Sequence, residues 1–353
     1  MSQPTSSDLE ARAARIADPG IDLKTKLAVA CELRDMVETV KDADTPKSIP
    51  TVAIAVVDIL KNTEPSNQKD STEFAFRRVL IEILHRIPTT DAVRSQAPAL
   101  CGGLLHVVGA DFEENAITCC KILLDVVRNF KPLNEELVSQ FFAIAHTVFL
   151  NIPQIVEETL SEDSSVLEAN TLVPSTRSFK VFAELAILVV ILLQNQKQLV
   201  LPIVMENLNM HLDTIRIQSP AQRKAREEYE AMGNYWAGIA PTIRNYQAYT
   251  DFIIAQVKMA SFLMFFLRTN TTPTPAPEQP RQWEPELEIL ILSTLRLLQD
   301  CPATAIAPRK DLMIIFRYLI TTSTRRVLLS HIDKLLEERV LLGTSLSSQE
   351  TVR

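Results

Sequence analysis

The stretch STEFAFRRVLIEILHRIPTTD (71–91) decides the fold class of this chain. Its apolar side chains recur at i, i+3, i+4 and i+7, the spacing that places them on one face of an α helix. Ser71 and Glu73 supply an N-cap and an acid in the first turn, and the helix has to end before Pro88. The stretch therefore predicts an amphipathic helix whose apolar face consists of Phe76, Val79, Leu80, Ile83, Leu84 and Ile87.

The same periodicity recurs along the chain, in segments that form pairs. The third and fifth predicted helices begin roughly 40 residues apart, and each is followed by a second helix, which is the period of HEAT-type repeats. The sequence therefore predicts an all-α fold, an α-solenoid of HEAT-like antiparallel helix pairs, elongated and with a curved surface available to partners. The predicted helices are Leu23–Val40, Ile49–Lys61, Ser71–Ile87, Val93–Val108, Glu113–Asn129, Asn134–Leu160, Ser178–Gln198, Leu201–Ile217, Pro220–Met232, Tyr246–Arg268, Glu284–Gln299, Ala307–Thr321 and Thr324–Leu341.

Two polar or proline-rich segments interrupt the helices. SEDSSVLEANTLVPSTR (161–177) is expected to be a loop, and TNTTPTPAPEQPRQWEP (269–285) a proline-rich linker that cannot be helical. The last block is expected to be truncated, with Leu335, Leu336, Val340 and Leu341 half-covered. The chain is therefore expected to self-associate or to be less stable than a longer chain. The predicted organisation is a disordered N-terminus at 1–20, HEAT-like repeats at 21–160, a loop at 161–177, repeats at 178–268, a linker at 269–285 and repeats at 286–353.

Glycine is scarce, with seven residues in 353, whereas average usage would give roughly 25. Loops that hold phosphates or dinucleotides need glycine where the backbone approaches the ligand. Only Gly102-Gly103 resembles part of such a loop, and the residues that would complete it are missing. The composition indicates a helical scaffold without a nucleotide site.

No motif for catalysis or metal binding is present. The five histidines are scattered singly, and the five cysteines form no C-x-x-C pair and are expected to be buried, reduced thiols. The acidic pairs Glu113-Glu114 and Glu157-Glu158 are expected to lie on solvated helix faces. We expect no enzyme activity, no catalytic, metal or cofactor-binding residue, no cofactor and no small-molecule substrate. The histidines are His85, His106, His146, His211 and His331, and the cysteines Cys31, Cys101, Cys119, Cys120 and Cys301.

The net charge of −7 argues against direct nucleic-acid binding. Three short basic clusters, Arg223-Lys224-x-Arg226, Arg309-Lys310 and Arg325-Arg326, are expected to be charges on helix surfaces. The apolar runs 185–193 and 252–267 are expected to be buried helices and not membrane spans. The first run is too short, and the second contains Lys258.

Six segments follow one another along the chain: FRRVLIEILHRIPTTD (76–91), DFEENAITCCKILLDV (111–126), SFKVFAELAILVVILLQ (178–194), YTDFIIAQVKMASFLMFFLR (249–268), LLQDCPATAIAPRKDLM (297–313) and DKLLEERVLLGTSLSSQETVR (333–353). Together they resemble the N-terminal HEAT region of the TRRAP family of pseudokinase scaffolds. The likeness extends over roughly residues 20 to 353, although Ala186 stands where the family usually has proline. The chain is expected to be a fragment, a truncated gene product or a split reading frame, because family members are far longer.

The resemblance implies a non-catalytic nuclear scaffold of a SAGA-type histone acetyltransferase complex, a transcription coactivator. Its partners would be complex subunits and the acidic, disordered domains of transcription activators. Arg223 to Arg226 and Arg309-Lys310 are candidate contacts for such domains. The alternative hypothesis is another helical-repeat adaptor, of the transport receptor or phosphatase scaffold type.

Overall fold

The computed structural model describes residues 5–40, 47–130, 133–161, 172–231, 246–270, 283–302, 305–321 and 325–336. Within these ranges the regular structure is helical, and Phe112 and Pro174 form an isolated antiparallel bridge. The predicted fold class is confirmed: the chain is an all-α solenoid of HEAT-like helix pairs. Its helices are α1 (Ser6–Ala17), α2 (Leu23–Glu38), α3 (Ile49–Lys61), α4 (Thr72–Arg86), α5 (Ala97–Ala110), α6 (Glu113–Asn129), α7 (Glu135–Thr159), α8 (Phe179–Asn195), α9 (Lys197–Glu206), α10 (Leu208–Arg216), α11 (Pro220–Ala231), α12 (Tyr246–Asn270), α13 (Glu284–Asp300), α14 (Ile306–Thr321), α15 (Arg325–Leu329) and α16 (Ile332–Leu336).

The chain divides into two compact units, of which unit 1 comprises Met1–Val148 and Leu167–Ile203. Consecutive helices pack in pairs, α1 on α2, α3 on α4 and α5 on α6. The pairs stack in two layers: α1, α3 and α5 follow one another in one layer, and α2, α4, α6 and α8 in the other. A helix inside a layer therefore contacts the preceding and the following helix of that layer, and its paired helix in the other layer. These three contacts bury its apolar residues.

Unit 2 comprises Phe149–Val166 and Val204–Arg353 and is built around α12. This helix packs against α10, α13 and α14, and α13 and α14 both contact α15. By length and composition α12 could cross a membrane, but 67% of its apolar window is buried. Its apolar residues, among them Phe252, Phe262 and Phe266, form the core of unit 2.

The prediction of a disordered N-terminus at 1–20 is wrong for most of this segment, because α1 occupies Ser6–Ala17, and residues 1–4 lie outside the described residues. Thr5 and Asp8 cap its first turn reciprocally, the Thr5 hydroxyl accepting from the Asp8 N–H and the Asp8 carboxylate from the Thr5 N–H. Leu9, Ala13 and Ile16 repeat at helical spacing and are buried, so α1 docks on α2 and α3.

Three other predicted helices are divided differently. Val93–Val108 consists of a 3₁₀ helix, Asp91–Gln96, and α5, because Pro98 suits the first turn of a new helix. Leu201–Ile217 is divided between α9 and α10, and Thr324–Leu341 between α15 and α16, with 337–341 outside the described residues.

The two interrupting segments are described at their ends only. The 3₁₀ helix Ser175–Arg177 falls within the predicted loop 161–177. In the predicted linker 269–285, α12 extends to Asn270 and α13 begins at Glu284, whereas 271–282 lie outside the described residues.

Gly102 and Gly103 lie within α5 and are not part of a ligand loop. Their surroundings differ sharply. A Cβ atom on Gly103 would stand 2.2 Å from Val57 Cγ1 of α3, whereas a Cβ on Gly102 would meet Leu137 Cδ2 at 3.5 Å, an ordinary contact. Gly103 thus permits the close approach of α3 and α5.

Arg77 is the largest fully buried side chain that carries a charge among the described residues. Its Nε and Nη2 donate to Asp111 Oδ2 at 2.9 and 2.8 Å, and its Nη1 donates to the Leu60 carbonyl at 2.9 Å and to Thr63 Oγ1 at 2.8 Å. Asp111 Oδ1 accepts from the Asn115 amide at 3.1 Å. The pair joins the end of α3, the middle of α4 and the start of α6.

Gly103→Ala is expected to lower the free energy of unfolding by about 1–3 kcal/mol, because α3 and α5 would have to separate. Gly102→Ala is the matched control and should raise it by up to about 1 kcal/mol, since alanine is the better helix former. Urea unfolding of both variants tests this. Equal midpoints would contradict the close approach, and Val57→Ala in the Gly103→Ala background should recover part of the loss.

Asp111→Asn is expected to cost about 3–5 kcal/mol of stability, because the Arg77 guanidinium would remain buried without its counter-charge. Asp91→Asn is the control: its partner Arg94 lies 2.7 Å away, but both side chains are mostly exposed. Loss of that pair should cost under about 1 kcal/mol. Thermal unfolding monitored by circular dichroism distinguishes the two, and a small effect of Asp111→Asn would show that the buried pair is dispensable.

Candidate partner-docking surface

The structure does not bring the five histidines together. His85, His106, His146 and His211 lie on α4, α5, α7 and α10, and His331 between α15 and α16. His211 is fully buried, with its ring edge-to-face against Phe149 and Phe262. Among the described residues, no group of three or more histidines, cysteines and acids is placed to hold a metal ion.

Glu113 and Glu114, which were predicted to lie on a solvated helix face, bond to side chains of neighbouring elements. Glu113 accepts from Ser178 Oγ at 2.7 Å and from Lys180 Nζ at 3.0 Å, which ties α6 to the start of α8. Glu114 pairs with Lys69 Nζ at 3.0 Å. These carboxylates hold neighbouring elements together.

The cysteines are unpaired, and all except the half-exposed Cys31 are buried. Burial raises the pKa of the Cys101 thiol to about 12 and that of Cys301 to about 11. Burial also raises the pKa values of Cys119 and Cys120 well above the ordinary value. Thiols held in the protonated form are poor nucleophiles.

Two of the arginines predicted to contact acidic partners, Arg309 and Arg223, bond to groups of this chain. Arg309 Nη1 donates to the carbonyls of Leu298 and Cys301 at the end of α13, at 3.0 and 3.2 Å. Arg223 pairs with Glu157 of α7, and the Arg226 side chain lies outside the described residues. Lys310 is exposed on α14.

The α14 helix has an exposed face that is largely apolar. The opposite side of the helix is buried and packs in unit 2 against α12, α13 and α15. Its buried residues are Leu312, Ile315, Phe316 and Leu319. Lys310 and Arg317 are exposed between the apolar residues of the exposed face. Because the exposed face of a helix is normally polar, an exposed face with this many apolar residues is unusual. This α14 face consists of Ile306, Lys310, Met313, Ile314, Arg317, Tyr318 and Ile320.

Two shallow grooves adjoin near the end of α10. One, of about 470 Å³, is lined by Pro153, Gln154, Glu157, Arg216, Ile217, Gln218 and Arg223. The other, of about 430 Å³, is lined by Arg216, Gln218, Leu292, Ser293, Leu295, Arg296, Gln299 and Lys334. We call them the Arg223 groove and the Arg296 groove. Their shared residues, Arg216 and Gln218, make them one continuous surface.

Sequence reasoning missed Arg216, Arg296 and Lys334, which are isolated cations in the sequence. Helix packing brings α10, α13 and α16 to the same groove. No local signal identifies them, because their common feature is their position in three dimensions.

Helix pairs stacked in layers, with exposed apolar and basic surfaces, define a helical-repeat protein of the HEAT type, a class that binds other proteins along its repeats. Comparison with known proteins agrees. The family model described as "Tra1 HEAT repeat central region" matches residues 248–353.

Similarity to individual proteins extends over almost the whole chain. The SAGA complex/NuA4 acetyltransferase complex subunit TRA1 of Saccharomyces cerevisiae is 27% identical over 99% of this chain and 10% of its own length. The transformation/transcription domain-associated protein of Homo sapiens is 24% identical over 96% of this chain and 9% of its own. The SAGA complex/NuA4 acetyltransferase complex subunit Tra1 of Schizosaccharomyces pombe is 25% identical over 96% of this chain and 10% of its own length.

The chain is therefore similar to members of the Tra1/TRRAP family over almost its whole length, and the predicted resemblance is confirmed. It spans about a tenth of the length of these curated relatives. The part matched by the family model, residues 248–353, is a HEAT repeat region.

Iodoacetamide at pH 8 is expected to label Cys31 and to leave the four buried thiols unmodified until the protein unfolds, because only a thiolate reacts at an appreciable rate. Peptide mass spectrometry before and after addition of urea measures this. The Cys31→Ser variant is the control and should remain unlabelled in the folded state. Labelling of Cys119 or Cys120 as fast as Cys31 would contradict the burial of these side chains.

Proposed function

We propose that the chain is part of a nuclear scaffold of a histone acetyltransferase complex, where it binds transcription activators and subunits of the complex. The observation that carries the proposal is the similarity over 96–99% of the chain to proteins named as SAGA and NuA4 subunits or as transcription-associated proteins. These names favour a coactivator scaffold over a transport receptor or a phosphatase scaffold.

The physical mechanism is docking of amphipathic helices on the α14 face. A partner helix would place its apolar side on Met313, Ile314 and Tyr318, and its acidic flanks near Lys310 and Arg317. Activation domains that are disordered alone lose conformational entropy when they fold on binding, so the affinity should be modest.

Affinity purification of the full-length gene product from its own nuclei tests the assignment. Acetyltransferase subunits should co-purify with it. Recovery of nuclear import factors or phosphatase subunits instead would favour the alternative adaptor.

Met313→Ser combined with Ile314→Ser is expected to weaken binding of an acidic amphipathic peptide about tenfold, because two apolar contacts are lost. The two side chains are 42% and 39% exposed, so the free energy of unfolding should fall by about 1–2 kcal/mol, and circular dichroism checks that the variant is folded. Fluorescence anisotropy with a labelled peptide gives the affinity.

Leu150→Ser supplies the matched control, since Leu150 is also an exposed apolar side chain of unit 2 but is not part of the α14 face. Its affinity for the peptide should equal that of the unmodified chain. Equal weakening by the control, or none by the α14 variant, would place the docking site elsewhere.

A further inference from the structure

The Arg296 groove concentrates positive charge in a chain whose net charge is −7. Its eight lining residues include three cations, Arg216, Arg296 and Lys334, and no carboxylate. Gln218, Gln299 and Ser293 add neutral hydrogen-bonding groups to the lining. Cations together with amide and hydroxyl donors are the chemistry of a site for an anion with several oxygen atoms.

Arg296 is held in place by the end of α10. Its Nη1 donates to the Arg216 carbonyl at 2.7 Å, and its Nη2 donates to the Ile215 carbonyl at 2.5 Å. The C-terminal end of a helix carries a partial negative charge that repels anions. Arg296 offsets that charge at the groove.

Arg216 and Lys334 are the accessible cations of the groove. The Arg216 side chain is 59% exposed, and its Nη1 lies 3.3 Å from the exposed carboxylate of Asp213. Asp300, 3.6 Å from Arg296 Nε, is almost completely buried. Asp213 and Asp300 therefore neutralise part of the positive charge of Arg216 and Arg296, but neither carboxylate lines the groove.

We propose that the Arg296 groove binds a phosphorylated segment of a partner protein, with the phosphate held by Arg216 and Lys334. This inference rests on the proposed docking function and names the chemistry of one partner. A phosphate monoester carries about −1.5 to −2 charges and three acceptor oxygens, which matches two exposed cations and nearby neutral donors. A single carboxylate offers one charge and two oxygens.

The Arg223 groove indicates that the phosphate is attached to a peptide. It continues from the Arg296 groove through Arg216 and Gln218, and its lining includes the apolar side chains of Pro153 and Ile217. Residues that flank the phosphorylated position can lie along this second groove. A free anion would leave it empty.

The test uses the full chain and a labelled short peptide with a central phosphoserine between leucine and alanine residues. Its unphosphorylated twin and a twin with glutamate in place of phosphoserine are measured beside it by fluorescence anisotropy. The phosphopeptide should bind at least about tenfold more tightly than either twin, and its affinity should fall as salt is raised.

Arg216→Gln and Lys334→Gln should each weaken binding of the phosphopeptide about five- to tenfold, because each removes one cation. Arg325→Gln is the matched control, since Arg325 is an exposed cation of unit 2 that does not line the groove. This variant should bind within about twofold of the unmodified chain. Circular dichroism confirms that each variant is folded.

Equal affinity for the three peptides, or full affinity in both groove variants, would overturn the proposal. So would binding of pyrophosphate without binding of the phosphopeptide, or tighter binding of single-stranded DNA at the same residues. Failure of the co-purification with acetyltransferase subunits would refute the assignment to a coactivator complex while leaving the phosphopeptide result intact, so the two failures are distinguishable.

Discussion

The carbonyl groups at helix C-termini need hydrogen-bond donors, and this requirement shapes both units of the chain. Proteins often end helices with a glycine in the left-handed conformation, which lets the backbone satisfy these carbonyls. Among the described residues, none of the glycines directly follows the last residue of a helix. The backbone N–H of the capping residue supplies one donor at several helix ends, as at Thr39 and Asn62. At other carbonyl groups the donor is a side chain from a neighbouring helix.

Each of these side-chain donors also joins elements of the fold. Arg77 of α4 bonds carbonyl groups at the end of α3, Asn195 bonds the Val127 carbonyl of α6 at 2.8 Å, and Gln256 of α12 bonds the Thr214 carbonyl of α10 at 3.0 Å. Tyr249 donates to the Asp300 carbonyl at the end of α13. Because a donor reaches its carbonyl only when the helices are packed correctly, the same bonds cap one helix and fix the position of another.

Regular helices could be predicted from the sequence because their signals are local. The bounds of α3 and α6 were predicted without error, since apolar periodicity and the flanking residues identify them. Even α1, which was missed, has a local signal in its capping pair and in the spacing of Leu9, Ala13 and Ile16. Arg77 is different: beside Arg78 it resembles a surface charge, and its counter-charge Asp111 is distant in the sequence.

The docking surfaces were harder to predict for the same physical reason. Arg309 belonged to a visible basic cluster, yet its guanidinium caps α13, whereas the isolated Arg216 is exposed beside a groove. Composition reports the net charge of the chain but not where its cations are used to satisfy carbonyl groups. A cation can bind a partner only where the packing leaves part of its side chain accessible, as at Arg216, Lys334 and Lys310. The helix-capping requirement therefore also limits which basic residues remain for recognition, and a surface that binds acidic partners can exist on a chain that is acidic overall.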